Sequence, residues 1–231
     1  MSFIKLDNIT KTYGKGKNKF QALHGVNLSI EQGDFVALMG PSGSGKSTMA
    51  NILGCLDVAS GGQYFFNGVS VFSLNRNQRA LLRRHYMGFI FQGFNLLSRT
   101  SALENVELPL MYRGMGKKER QAKALEALDL VGLAQWANHS SNELSGGQCQ
   151  RVAIARAIVI HPLFLLADEP TGNLDTKRSI EVMQILSRLN KEMKITILMV
   201  THEPEMAQYA KREIYFLDGN INKEVILDSK S

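Results

Sequence analysis

Cysteine is scarce: Cys55 and Cys149 are the two in 231 residues. Two thiols make no disulfide framework and no metal-ligand spacing, so both are expected to be reduced and structural. No apolar run approaches the roughly 18 residues that a membrane helix needs. The N-terminus lacks the charged-then-apolar arrangement of a signal peptide. The chain is therefore expected to stay in the cytosol unless a partner holds it at a membrane. There is no internal repeat and no low-complexity linker. The basic residues form no aromatic-interleaved patch of the kind single-strand binders use, so no direct contact with nucleic acid is expected. Apart from Lys15, Lys17 and Lys19 and the pair Arg83-Arg84, the cations are spread out. The net charge of +6 is read as solvated faces, with proximity to an anionic membrane surface as the next reading. A content of 44% hydrophobic and 21% charged residues is that of an ordinary globular chain. Its length allows one sizeable core or two small lobes.

One stretch stands out from this plain background. The apolar run Phe35-Val36-Ala37-Leu38-Met39 leads into Gly40-Pro41-Ser42-Gly43-Ser44-Gly45-Lys46-Ser47-Thr48, and a helix-compatible run begins at Met49. Strand, glycine-rich turn and helix form the context a phosphate-binding loop requires. The glycines let backbone N–H groups close on an anion, and the helix start adds its positive dipole end. Lys46 has the reach for the outer phosphates, and the Ser47 hydroxyl suits Mg²⁺.

Residues 3–10 alternate apolar and polar as a half-buried strand does, residues 14–19 read as an exposed hairpin tip, and Val26 to Ile30 alternate again. This opening is antiparallel in character. Gln63 to Phe66, closed by Asn67-Gly68, reads as a strand with a hairpin turn. Gly88 to Phe91 reads as a short buried strand. Helical patterning then runs to about Gly132, with Ala122, Leu125, Leu128 and Val131 as the expected inward stripe of a helix over 117–130. A second helix is expected over about 146–160, with Val152, Ala155, Ile158 and Val159 inward. Leu163 to Ala167 and Ile195 to Val200 read as strands covered on both faces. Asp175 or Thr176 caps the helix between them, and residues 213–227 read as a hairpin about Asp218-Gly219-Asn220.

Four of the buried strands end in polar groups: Met39 leads into the glycine-rich loop, Phe91 into Gln92, Ala167 into Asp168-Glu169, and Val200 into Thr201-His202. In open parallel sheets the ligand sits beyond the carboxyl ends of the strands. These residues are thus expected to converge on one phosphate. Asp168 suits a second Mg²⁺ contact, through water. Glu169 suits the orientation or deprotonation of an attacking water. His202 suits a phosphate-sensing role, and Gln92 has an amide able to reach both metal and water.

Leu144-Ser145-Gly146-Gly147-Gln148 is the other strong signal. Ser145 and Gln148 form a capping box. The box does not explain two glycines in a first helical turn, where each costs roughly 1 kcal/mol relative to alanine. Glycines there permit close backbone approach to an anion. The chain therefore offers two phosphate-binding helix starts and one lysine-bearing loop.

Taken jointly, residues 40–48, Gln92, residues 144–148, residues 166–169, Asn173-Leu174-Asp175 and His202 resemble the nucleotide-binding subunit of an ABC transporter over nearly the whole chain. The resemblance implies an α/β P-loop NTPase: a RecA-like core with an antiparallel β subdomain over about 1–92 and 162–231, and an inserted α-helical subdomain over about 93–161. It implies ATP and Mg²⁺ as ligands, with Ser47, Gln92 and Asp168 at the metal. It implies a homodimer in which each ATP lies between the Lys46 loop of one copy and the Ser145-Gly146-Gly147-Gln148 start of the other. Tyr13 matches the aromatic residue that stacks on adenine, Glu169 the general base, His202 the switch histidine, and Asp175 the loop that crosses the dimer interface. Lys46 joins Glu169 and His202 in the catalytic set.

More finely, residues 91–97, 104–110 and 168–175 resemble the lipoprotein-releasing and macrolide-exporting branch, which pairs with permeases that have a large extracytoplasmic domain. Cys149 stands where that branch usually has a polar residue, and Arg99-Thr100-Ser101 replaces a proline-containing turn. Residues 93–112 are the candidate permease-facing surface, which would place the chain peripherally on the cytoplasmic face of the membrane. Two rival readings remain. A nucleic-acid-associated cassette would usually need a coiled-coil insertion or a second cassette, and neither is present. A regulatory cassette of cell-division type binds a permease-like partner without moving substrate, and the sequence does not separate it from a transporter.

Overall fold

Alternation along three central strands divides the interior into two cores. The computed structural model describes residues 2–227. The strands are β1 (Ile4–Tyr13), β2 (Phe20–Ile30), β3 (Phe35–Met39), β4 (Gly61–Phe66), β5 (Val69–Ser70), β6 (Met87–Phe91), β7 (Phe164–Asp168), β8 (Thr196–Val200), β9 (Arg212–Leu217) and β10 (Asn220–Ile226). The α-helices are α1 (Lys46–Leu53), α2 (Arg76–Tyr86), α3 (Ala102–Tyr112), α4 (Lys117–Leu130), α5 (Gly146–Ile158), α6 (Thr176–Met193) and α7 (Pro204–Ala207). One sheet has the order β2-β1-β4-β5 and is antiparallel. The other has the order β10-β9-β3-β8-β7-β6 and is parallel apart from its β10 edge.

Phe35, Ala37 and Met39 of β3, Leu165 and Ala167 of β7, and Ile197 and Met199 of β8 face one core, shared with α3, α4, α5 and α6. Val36 and Leu38, Phe164 and Leu166, and Leu198 and Val200 face the other, shared with α1 and the antiparallel sheet. Successive residues of a strand point to opposite faces, so a strand covered on both sides must be apolar throughout. That is why these segments are continuous apolar runs. The expected strands of the opening, the Asn67-Gly68 hairpin and the C-terminal hairpin are all present. Asp175 caps α6, its carboxylate accepting from the Arg178 N–H at 3.0 Å.

The inward stripe of α4 differs from the expectation. Leu128 and Val131 are buried as expected, but Ala124 and Ala127 join them while Ala122 and Leu125 are exposed. The sequence carries two overlapping apolar phases here. The one with two alanines wins because small side chains let α4 approach α3 and α5 closely. Helix α5 is buried nearly all round, with Ala153, Ile154 and Ala157 joining the four expected residues. Helix α2 has a single buried residue, Leu82, and no apolar stripe to announce it. Its start is an Asn75–Gln78 capping box. Among the described residues no helix is long and apolar enough to cross a membrane.

Gly88 sets the seat of α5 on β6. A Cβ there would lie 2.5 Å from the Ala157 carbonyl oxygen and 2.8 Å from Leu165 Cδ1. Overpacking of this kind typically costs about 1–3 kcal/mol. Gly88→Ala should therefore lower the urea midpoint by an amount worth about 2 kcal/mol. An unchanged midpoint would show that helix and strand have room to part.

Candidate active site

Strand register brings the polar strand ends to one edge. Phe91 pairs with Asp168, Asp168 with Val200, and Val200 with Leu38, so four strands end within a residue of one another. Gln92, Glu169, Thr201 and the Met39-Gly40 junction follow directly beyond that row. The convergence expected from the pattern of strand ends is present in the backbone.

The loop from Gly40 to Gly45 wraps the start of α1. Gly40 has φ +140°, and a Cβ there would lie 2.1 Å from the Phe216 carbonyl oxygen. Gly45 caps α1 at φ +103°, a conformation that glycine adopts without strain. Lys46 is 7% exposed. Its Nζ donates to the carbonyl oxygens of Gly40 and Pro41, each at 2.7 Å. Burial draws the Lys46 ammonium below its usual pKa, and the Glu169 and Asp168 carboxylates oppose that shift. The Ser44 hydroxyl is buried with no hydrogen-bond partner among the described residues. A cation folded back on loop carbonyls beside an orphaned hydroxyl is a cradle suited to an anion.

Tyr13, Gly40, Pro41, Ser42, Gly43, Gly45, Lys46, Ser47, Thr48, Glu169 and His202 line one cleft of about 770 Å³. Glu169 holds φ +45°, unusual for a residue other than glycine, and its N–H donates to the Val200 carbonyl at 2.9 Å. His202 Nδ1 lies 3.0 Å from Glu169 Oε1. With a proton on Nδ1 the Glu169 carboxylate accepts there, which orients the ring and leaves Nε2 for another partner. Burial pushes the Asp168 carboxyl above its usual range, the Glu169 charge adds to the effect, and Lys46 opposes it. A carboxylate in that position gains from a nearby cation.

Gln92 stands beyond the same edge but leans on a neighbouring loop. Asn173 donates to the Gln92 carbonyl at 2.9 Å, and a Cβ on Gly172 would meet Gln92 Nε2 at 2.7 Å. Ser145, Gly146, Gly147 and Gln148 do not line the Lys46 cleft of their own chain. Ser145 and Gln148 form the expected reciprocal cap, with the Ser145 N–H donating to Gln148 Oε1 at 2.9 Å. The two glycines differ. A Cβ on Gly147 would lie 2.8 Å from Arg178 Cδ, so the Arg178 side chain would have to move to admit one. Around Gly146 the nearest atoms stand at 3.7 Å, so no neighbour in the chain requires a glycine there.

Sequence reasoning missed Phe20, which lines the cleft at 63% exposure. It sits directly across from Tyr13 in the β1–β2 pairing. The signal was an apolar aromatic placed beside a hairpin tip. It also missed Lys11 and Asp57, which hold Tyr13. Burial works against charge on Asp57, but hydrogen bonds from Lys11, the Val58 N–H and Tyr13 outweigh it and hold its carboxyl below the usual range.

Comparison with known proteins agrees with this geometry. The sequence profile of the ABC transporter family matches residues 23–172. The chain is 53% identical over 218 residues to the uncharacterized ABC transporter ATP-binding protein YknY of Bacillus subtilis, with 94% of each chain covered. It is 52% identical over 221 residues to the macrolide export ATP-binding/permease protein MacB of Bdellovibrio bacteriovorus, a match covering 96% of this chain and 34% of that one. Among solved structures, the dimeric post-hydrolysis state of the ATP-binding cassette MJ0796 bound to ADP and Pi superposes with a TM-score of 0.89 at 46% identity, covering 98% of this chain and 99% of that one. MJ0796 comes from Methanocaldococcus jannaschii. With the loop, the strand-end carboxylates and the capped glycine helix all in place, this chain belongs to the ABC transporter family, as an ATP-binding cassette.

Proposed function

We propose that the chain binds and hydrolyses ATP as a homodimer and so drives a separate membrane permease. One observation carries the reading. The Lys46 loop and the Glu169–His202 pair share one cleft, while the second anion-binding helix start at Ser145 stands outside it. A second copy, packed head to tail, supplies that missing side. The dimeric MJ0796 cassette with ADP and Pi supports this arrangement.

In this reading Lys46 leaves the Gly40 and Pro41 carbonyls for the outer phosphate oxygens of ATP. Backbone N–H groups of the loop and of the α1 start take the remaining oxygens. Glu169, held by His202, accepts a proton from the water that attacks the terminal phosphorus, and ADP leaves. With a proton on each ring nitrogen, His202 would donate from Nδ1 to Glu169 and from Nε2 to an oxygen of the terminal phosphate, holding it in place. Ser47, Asp168 and Gln92 would hold Mg²⁺, and the half-buried Asp168 carboxylate, raised by burial, fits a cation. Bound there, Mg²⁺ would neutralise phosphate charge.

A groove of about 570 Å³ lies beside residues 93–112, lined by Phe89, Phe91, Leu108, Tyr112, Arg84 and Arg156 among others. Arg156 also holds the adjoining loop, donating to the Asn95 and Phe94 carbonyls at 2.6 and 2.8 Å. In our reading the permease inserts here, and residues 93–161 move as the lobe that passes nucleotide state to it. The ATP-binding/permease organisation of the MacB relative supports a membrane partner. The chain would then sit peripherally, on the cytoplasmic face.

Ser145→Arg tests the shared site. The variant places bulk and charge where the partner's ATP binds. Mixed with wild type, it should lower ATPase activity further than simple dilution does. Activity that follows dilution alone would mean that each chain hydrolyses ATP without its neighbour.

A further inference from the structure

We propose that Lys11 and Asp57 are positioning residues for the nucleobase, fixing Tyr13 as one wall of an aromatic corner whose second wall is Phe20. The inference rests on the ATP reading above and deepens it.

Tyr13 is clamped at two points. Its hydroxyl donates to Asp57 Oδ2 at 2.8 Å. The Lys11 ammonium lies 4.7 Å from its ring centroid. Lys11 is itself 8% exposed and donates to Asp57 Oδ1 at 2.6 Å and to the Val58 carbonyl at 2.7 Å. Asp57 Oδ1 also accepts from the Val58 N–H at 2.7 Å. One ring face is therefore taken by a cation, and the phenol cannot swing without breaking a bond to a carboxylate. The other face is set before any ligand arrives, which removes part of the ordering cost of binding.

Phe20 completes the corner. It pairs with Tyr13 across β1 and β2, and both rings line the cleft that holds the Lys46 loop. At 63% exposure its ring is not explained by the core. Exposed aromatics beside an anion cradle suit a flat base attached to phosphates, since any base offers a face for stacking.

The test compares two ligands by isothermal titration of the full chain: ATP, and inorganic tripolyphosphate, which lacks a base. Loss of one base–aromatic contact predicts that Phe20→Ala weakens ATP binding about ten-fold. Lys11→Met and Asp57→Asn should each weaken it about five-fold through lost preorganisation. Tripolyphosphate should bind all three variants as it binds wild type, and Lys11→Arg, which keeps a cation on the ring, should restore ATP binding. ATP binding by Phe20→Ala or Lys11→Met at the wild-type Kd would overturn the corresponding wall of the corner. Equal loss of tripolyphosphate would overturn the positioning role, because it would report damage to the whole cleft. A wild-type chain that binds neither ligand would instead overturn the ATP reading itself.

Discussion

Replacing Lys46 with alanine should weaken ATP binding by about a hundred-fold or more and abolish turnover, since charged hydrogen bonds to phosphate contribute about 1.5–3 kcal/mol each. The fold should survive. The ammonium is nearly buried, and burial lowers its pKa, so its charge costs folding free energy at neutral pH. Its two partners are carbonyls of Gly40 and Pro41, in a loop whose 41–43 stretch is exposed to water. Water can take over both bonds. Titration calorimetry and a thermal melt on the same sample separate the two effects. A Kd within three-fold of wild type would remove Lys46 from the phosphate site. A large drop in melting temperature would make the lysine a structural group.

Glu169→Gln should leave ATP binding intact and cut turnover by about 10²–10⁴-fold, the range of a lost general base. The amide is isosteric, can still accept from His202 Nδ1, and leaves the Glu169 N–H bond to the Val200 carbonyl untouched. In the proposed function ATP closes the dimer and hydrolysis would reopen it. With ATP the variant should therefore run at twice the 25.7 kDa of one chain on size exclusion. Turnover within ten-fold of wild type would mean that another group takes the proton. A variant that stays monomeric at saturating ATP would count against the two-chain site.

Much of this architecture was legible because two signals agree. Continuous apolar runs marked the strands covered on both faces, and each ended in a group with chemistry, at Lys46's loop, Gln92, Asp168-Glu169 and His202. The structure sets those ends in one row through the β6–β7–β8–β3 register. What stayed hidden depends on distance along the chain or on competing phases. Lys11 and Asp57 are 46 residues apart, and nothing local announces their pairing. Phe20 carries no local signal of its own, and only the β1–β2 register sets it beside Tyr13. Gly147 also has a neighbour that the sequence does not announce: Arg178, thirty-one positions on, packs against it. Helix α4 offered two apolar phases, and only its neighbours chose between them. Helix α2 lacked a stripe, though its Asn75–Gln78 box was readable as a helix start.

A crystal structure of the Glu169→Gln variant loaded with ATP addresses the shared site most directly. Two nucleotides per dimer are expected, each with its terminal phosphate between Lys46 of one chain and the backbone at the partner's Ser145 and Gly146. A structure in which Gly146 faces solvent, a domain's width from any phosphate, would contradict it.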